Sequence, residues 1–160
     1  MSELRIGLGY DVHSFADDRR LVLGGIEIAA SRGLLGHSDA DVLTHALMDA
    51  ILGAMRAGDI GAHFPDTDPA YEGISSVELL HRVGVMANAA GWRVVDADMV
   101  LVLEEPKISP FRDAMRVRMA EALGVEVDRV GLKATTTEGL GLTGRREGAA
   151  AQAVVLLERV

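Results

Sequence analysis

The chain has 160 residues, no cysteine, and a net charge of −8 from 24 acidic and 16 basic side chains. At this length roughly 70% of the unfolded surface can be buried, so residues 1–160 are expected to form a single domain without staples. An acidic surface offers no nonspecific attraction to nucleic acid or anionic membrane, and without cysteine any metal site must use His, Asp or Glu. No apolar run approaches a membrane span, and Met1-Ser2-Glu3-Leu4-Arg5 lacks a signal peptide's apolar stretch, so a cytoplasmic location is expected.

Leu4–His13 reads as a strand, with Ile6, Leu8, Tyr10 and Val12 alternating against Arg5, Gly7, Gly9, Asp11 and His13. A second strand runs over Leu21–Ile28, interrupted by Gly24-Gly25, before a polar loop at Ser31–Ser38. Asp39 or Asp41 can cap a helix running to about Ala57. Gly58–Gly73 is a loop, and Ser75 or Ser76 starts a second helix that ends near Gly91. Trp92–Leu103 is a strand whose Met99–Leu103 run is apolar throughout. Ser109-Pro110 opens a third helix to Leu123-Gly124, and Arg129–Thr136 and Ala149–Leu157 are the last strands. This order predicts an α+β sandwich, a mostly four-stranded mixed sheet with helices on one face.

Asp11 and His13 lie at i and i+2 of a strand and project from the same face, as two metal ligands or as a polar strand end. In the following helix, Leu43, Ala46, Leu47, Ala50, Ile51 and Ala54 make one apolar stripe. His45 lies on roughly the opposite face, flanked by Asp41 and Asp49, either of which could orient its second ring nitrogen. Asp11, His13 and His45 together give three ligands and one open position, the pattern of a catalytic zinc. His37, just before the helix, suits a phosphate donor. His63 could face either way, and His81 reads as helix surface.

Lys133-Ala134-Thr135-Thr136-Thr137-Glu138-Gly139 ends a strand in three threonines, an acid and a glycine. Threonine hydroxyls and backbone amides can hold phosphate oxygens, and Glu138 could hold magnesium. The same stretch is compatible with a β-branched strand and a glycine turn. Arg145 and the Pro106-Lys107 loop are weaker phosphate or substrate signals. Asp59, Asp66 and Asp68 could bind hydroxyl groups or serve as caps.

Taken in order, Gly9-Tyr10-Asp11-Val12-His13, Gly36-His37-Ser38-Asp39-Ala40-Asp41-Val42, Gly58-Asp59-Ile60-Gly61, Phe64-Pro65-Asp66-Thr67-Asp68, Pro106-Lys107 and Lys133-Ala134-Thr135-Thr136-Thr137-Glu138 resemble the signature segments of the 2-C-methyl-D-erythritol 2,4-cyclodiphosphate synthases. The resemblance covers essentially the whole chain. It implies a homotrimeric lyase of the non-mevalonate isoprenoid pathway, with each active site shared between neighbouring subunits. It implies zinc on Asp11, His13 and His45, magnesium or manganese on Glu138 with the substrate, and transition-state stabilisation by His37 and Thr136. Ser38, Asp59, Gly61, Phe64, Asp66 and Asp68 would shape the methylerythritol side. Leu103, Pro106, Lys107, Ala134 and Thr135 would shape the cytidine side. Leu142, like Tyr10, would stand near a threefold channel where relatives can hold an isoprenoid diphosphate, and Arg145 would be a substrate contact. Tyr10 and Leu142 stand where phenylalanine is common, and Leu103, Glu104 and Glu105 replace smaller or neutral residues.

The reaction so implied is attack by the 2-phosphate of 4-diphosphocytidyl-2-C-methyl-D-erythritol 2-phosphate on its own β-phosphorus, releasing CMP. It needs no protein nucleophile, in keeping with the missing cysteine and the lack of a Ser-His-Asp pattern. The alternative is a zinc phosphohydrolase or phosphodiesterase on the same three ligands.

Overall fold

The first strand meets the first helix through two glycines, and this contact organises the molecule. The computed structural model describes residues 3–160. Its strands are β1 (Leu4–Ala16), β2 (Leu21–Leu23), β3 (Ile26–Ile28), β4 (Gly33–Leu34), β5 (Trp92–Val102), β6 (Val130–Thr135) and β7 (Gly148–Arg159). Its helices are α1 (Val42–Met55), α2 (Ile60–His63), α3 (Ser76–Ala89), α4 (Arg112–Leu123) and α5 (Gly141–Gly144). The main sheet runs in the order β4-β1-β7-β5-β6. All pairings are antiparallel except the parallel pair β5–β6. The expected four long strands are present, but a fifth, β4, pairs Gly33 and Leu34 with Ala16 and Phe15. Two residues carry no period, so this strand leaves no pattern in the sequence. The expected strand over Leu21–Ile28 is a hairpin, β2–β3, reversed at Gly24 and Gly25 with φ of 56° and 74°, a backbone region that glycine enters without a Cβ penalty.

Helices α1, α3 and α4 pack on one face of the sheet. Strand β1 turns Gly7 and Gly9 toward α1 and leaves Ile6, Leu8, Tyr10 and Val12 exposed on the other face. The usual apolar-in, polar-out alternation is thus inverted in this strand. The reason is proximity: a Cβ on Gly9 would lie 1.9 Å from the Ala46 carbonyl oxygen, and one on Gly7 would lie 1.9 Å from that of Ala50. The helix contributes Ala46, Ala50 and Ala54 to the same contact, so backbone packs on backbone. Gly9→Ala should therefore push α1 off the sheet and cost about 3 kcal/mol, the upper part of the overpacking range. Urea unfolding would show this as a lower midpoint with little change in slope.

This close approach buries α1 nearly all round, including Thr44 and His45, because α3 covers the side away from the sheet. His45 is therefore not on a solvated face, as the single apolar stripe suggests. Asp41 is the N-cap of α1, its carboxylate accepting from the N–H and hydroxyl of Thr44 and from the N–H groups of Gly24 and Gly25. Cap and hairpin are thereby joined.

Candidate active site

Asp11 and His13 stand near the end of β1 on the face toward α1, and His45 comes down from the first turn of α1 to meet them. Asp11 Oδ2 lies 2.9 Å from His13 Nε2 and 3.1 Å from His45 Nδ1, and the two ring nitrogens are 3.1 Å apart. The other nitrogen of each ring decides the chemistry of this contact. His13 Nδ1 is 2.7 Å from the Leu35 carbonyl, which only accepts, so Nδ1 carries a proton. His45 Nε2 is 2.9 Å from Ser76 Oγ, and that hydroxyl donates to Asp39 Oδ1 at 2.5 Å. Ser76 has one proton, so its oxygen must accept from His45 Nε2–H. Ser38 Oγ adds a second contact to Nε2 at 3.1 Å. His13 Nε2, His45 Nδ1 and Asp11 Oδ2 are then three lone-pair donors aimed at one point.

Such a set calls for a cation. Without a metal, the shared charge falls on a proton. Burial would lower the affinity of His13 for it, but the hydrogen bond and charge of Asp11, together with the Leu35 carbonyl, raise it above the ordinary histidine value. Burial would raise the Asp11 carboxyl, but the His13 and His45 rings beside it hold it well below the usual carboxylate range. The residues fit a divalent ion directly: two neutral imidazoles with fixed tautomers and one carboxylate, their ligand atoms all within 4.8 Å of one another. The orienting group for His45 is Ser76, backed by Asp39, and not Asp41 or Asp49. Asp41 is spent on its cap, and Asp49 accepts from the Ile60 N–H at 2.8 Å. Ser76 is 31 positions from His45, so no local spacing pointed to it.

These ligands form part of the wall of a cleft of about 380 Å³ that also takes in His37, Ser38, Gly61, Phe64 and Asp66. Leu35, Met48, Ile60, Tyr71 and Leu79 complete its apolar side. Apart from Ile60, which falls in the Gly58–Gly61 segment, only their hydrophobicity marks these residues in the sequence. His37 is fixed by donating from Nε2 to the Asp68 carbonyl at 3.0 Å. The carboxylates of Asp59 and Asp68 are not in this lining; they cap short helical turns by accepting from the Ala62 and Ala70 N–H groups. His63 donates to the Ala57 carbonyl, and His81 lies beside the Ala122 carbonyl.

A second cleft, of about 430 Å³, brings together Leu103, Pro106, Lys107, Ala134, Thr135, Thr136 and Glu138. It shares no lining residue with the first. Glu138 has φ of 54° and accepts from the Thr136 hydroxyl at 3.3 Å. Glu104, one of the departures from the family pattern, reaches across from the end of β5 and accepts from the Thr137 N–H at 3.0 Å, which ties the threonine loop to the neighbouring strand. Leu142 and Arg145 line neither cleft: Leu142 is exposed on α5, and Arg145 pairs with Glu147 at 3.0 Å. Among the described residues, no helix is long and apolar enough to cross a membrane.

The chain is similar to known proteins of one family along nearly its whole length. The chain is 56% identical over 156 residues to 2-C-methyl-D-erythritol 2,4-cyclodiphosphate synthase of Syntrophotalea carbinolica, covering 98% of this chain and 95% of that protein. It is likewise 56% identical to the enzyme of the same name from Pelotomaculum thermopropionicum, with 98% and 96% covered. Among solved structures, the bifunctional IspDF of Campylobacter jejuni matches with a TM-score of 0.96 at 41% identity, covering all of this chain; the chain spans only 43% of that larger protein. IspF of Plasmodium falciparum in complex with CDP matches with a TM-score of 0.85 at 28% identity, covering 99% and 98%. The YgbB family model matches residues 4–158, end to end through both clefts, and the chain belongs to the YgbB family.

Proposed function

We propose that this chain converts 4-diphosphocytidyl-2-C-methyl-D-erythritol 2-phosphate to 2-C-methyl-D-erythritol 2,4-cyclodiphosphate and CMP. The observation that carries this reading is the convergence of Asp11 Oδ2, His13 Nε2 and His45 Nδ1 inside a cleft that also holds His37 and Ser38. The names of the close relatives supply the product. An oxygen of the 2-phosphate forms a bond to the β-phosphorus. The bond from that phosphorus to the bridging oxygen breaks, and CMP leaves with the electron pair. No water is consumed.

The chain's residues fold the substrate and balance its charge, which is most of what phosphoryl transfer requires. In this reading Asp11, His13 and His45 hold zinc, which supplies Lewis acidity when bound. The Gly61–Asp66 loop receives the methylerythritol. His37, held by the Asp68 carbonyl, contacts phosphate from the helix-entry loop. Leu103, Pro106, Lys107, Ala134 and Thr135 receive the cytidine, and Thr136 and Glu138 face the diphosphate, with magnesium or manganese on Glu138. These metals offset the −8 charge that would otherwise repel a polyanion.

The two clefts sit on separate parts of one chain, which favours an active site completed by a neighbouring copy. The exposed Ile6, Leu8, Tyr10 and Val12 of β1 supply an apolar sheet face for a homotrimer to cover. In that assembly Leu142 would lie toward the threefold channel, where an isoprenoid diphosphate would be held, and Arg145 would contact substrate phosphate.

Phosphorus NMR of the purified protein with this substrate and magnesium tests the proposal. Two coupled signals of a cyclic diphosphate, appearing with CMP, are expected. An open-chain phosphate product would instead establish the hydrolase. Glu138→Gln should keep its fold and zinc but need at least about tenfold more magnesium for half-maximal turnover, since it replaces one of the one or two carboxylates that such an ion uses. A magnesium titration like that of the wild type would reduce Glu138 to a turn residue.

A further inference from the structure

Five consecutive carbonyls, from Leu34 to Ser38, all have partners, and one side chain takes three of them. Arg19 donates from Nε to Leu34 O at 3.2 Å and from Nη2 to Gly36 O at 3.0 Å and Ser38 O at 3.3 Å. The two carbonyls between are used elsewhere: Leu35 O lies 2.7 Å from His13 Nδ1, and His37 O accepts from the Gly73 N–H at 2.8 Å. A single guanidinium therefore holds every second carbonyl of the segment. The alternate set is left to face the site and the loop before α3.

That segment delivers three groups to the cleft: the Leu35 carbonyl on His13, the His37 ring, and Ser38 Oγ on His45. Its fit to His13 is tight, since a Cβ on Gly36 would lie 3.1 Å from His13 Cε1. A shift of a few tenths of an ångström in the backbone would be felt at the ring. Arg19 itself lines a separate cleft of about 170 Å³ with Asp18, Arg20, Val22, Ser38, Asp39 and Gly73, and it is not in the lining of the metal-bearing one.

We infer that Arg19 is a positioning residue: its planar fork sets the path of residues 34–38, so that the Leu35 carbonyl fixes the proton of His13 and His37 stands in the cleft. The inference rests on the metal reading above. Lysine cannot substitute, because a point charge on a flexible stem does not span three carbonyls in a fixed plane.

The test uses Arg19→Ala and Arg19→Lys beside the wild type. Zinc affinity is measured by competition with a chelating dye, and the His13 tautomer by nitrogen-15 NMR of the metal-free protein at a pH high enough for the ring to be neutral. Both variants should fold and lose about 10–100-fold in zinc affinity, the usual effect of removing support behind a ligand. The His13 Nδ1 signal should move from a protonated toward a mixed tautomer, and kcat should fall with KM little changed. A variant with a lower Tm but wild-type zinc affinity and His13 spectrum would overturn the inference, as would full recovery by lysine. If Arg19→Ala does not fold, Arg19→Lys decides on the same readouts. A wild type that binds no zinc would sink the metal reading and this inference together; a wild type that binds it, with variants that bind as tightly, would sink this inference alone.

Discussion

His45→Ala is expected to lose most of its zinc and about three orders of magnitude of turnover while remaining folded. The metal loss follows from the site's composition. Removing one of three ligands leaves Asp11 and His13, a pair that exposed strand ends often present without binding anything. The activity loss follows from charge. A bound divalent ion is worth several kcal/mol to a phosphoryl transition state, and each 1.36 kcal/mol is tenfold in rate. Folding survives because His45 adds little to the core beyond its Ser76 and Ser38 contacts, and alanine is the best helix former. A cavity is left, and about 2 kcal/mol of stability with it. Elemental analysis and single-turnover rates on the same preparation check both halves. Full zinc retention in His45→Ala would remove this histidine from the site.

Mixing two inactive variants should restore activity. Asp11→Ala removes a candidate metal ligand from the first cleft, and Lys107→Ala removes a cation from the second. If a ring of three copies places the first cleft of one chain against the second cleft of the next, a site is intact when its first cleft comes from the Lys107→Ala chain and its second from the Asp11→Ala chain. With equal amounts and random assortment in a closed cyclic assembly, about one site in four meets both conditions. Each parent homotrimer should be weak or inactive, so the recovered activity stands out. Mixed trimers no better than the parents, in a preparation shown to exchange subunits, would place both half-sites within one chain. The mixture also separates assembly from chemistry, because either mutation alone would be inactive in either arrangement.

The parts of this protein legible in its sequence are those whose signal is local. Helices α1, α3 and α4 show as runs bounded by a cap or a glycine, and the four long strands show as alternating or apolar segments. Asp11 and His13 share a strand face by their spacing, and the His-Ser-Asp and Thr-Thr-Thr-Glu segments stand out through the family resemblance they carry. The tertiary structure decided what depends on which surfaces meet. Strand β1 carries an ordinary alternating pattern, yet its apolar side faces outward, because Gly7 and Gly9 admit the α1 backbone where no Cβ fits. That approach turned His45 from an exposed helix position into a buried candidate ligand. Its orienting hydroxyl on Ser76, the Leu35 carbonyl that sets the His13 tautomer and the Arg19 fork behind that carbonyl are 31, 22 and 15 or more positions from their partners. Hydrogen bonds across such separations leave no periodicity, since any residue with the right donor could make them. Only the packed fold selects which one does.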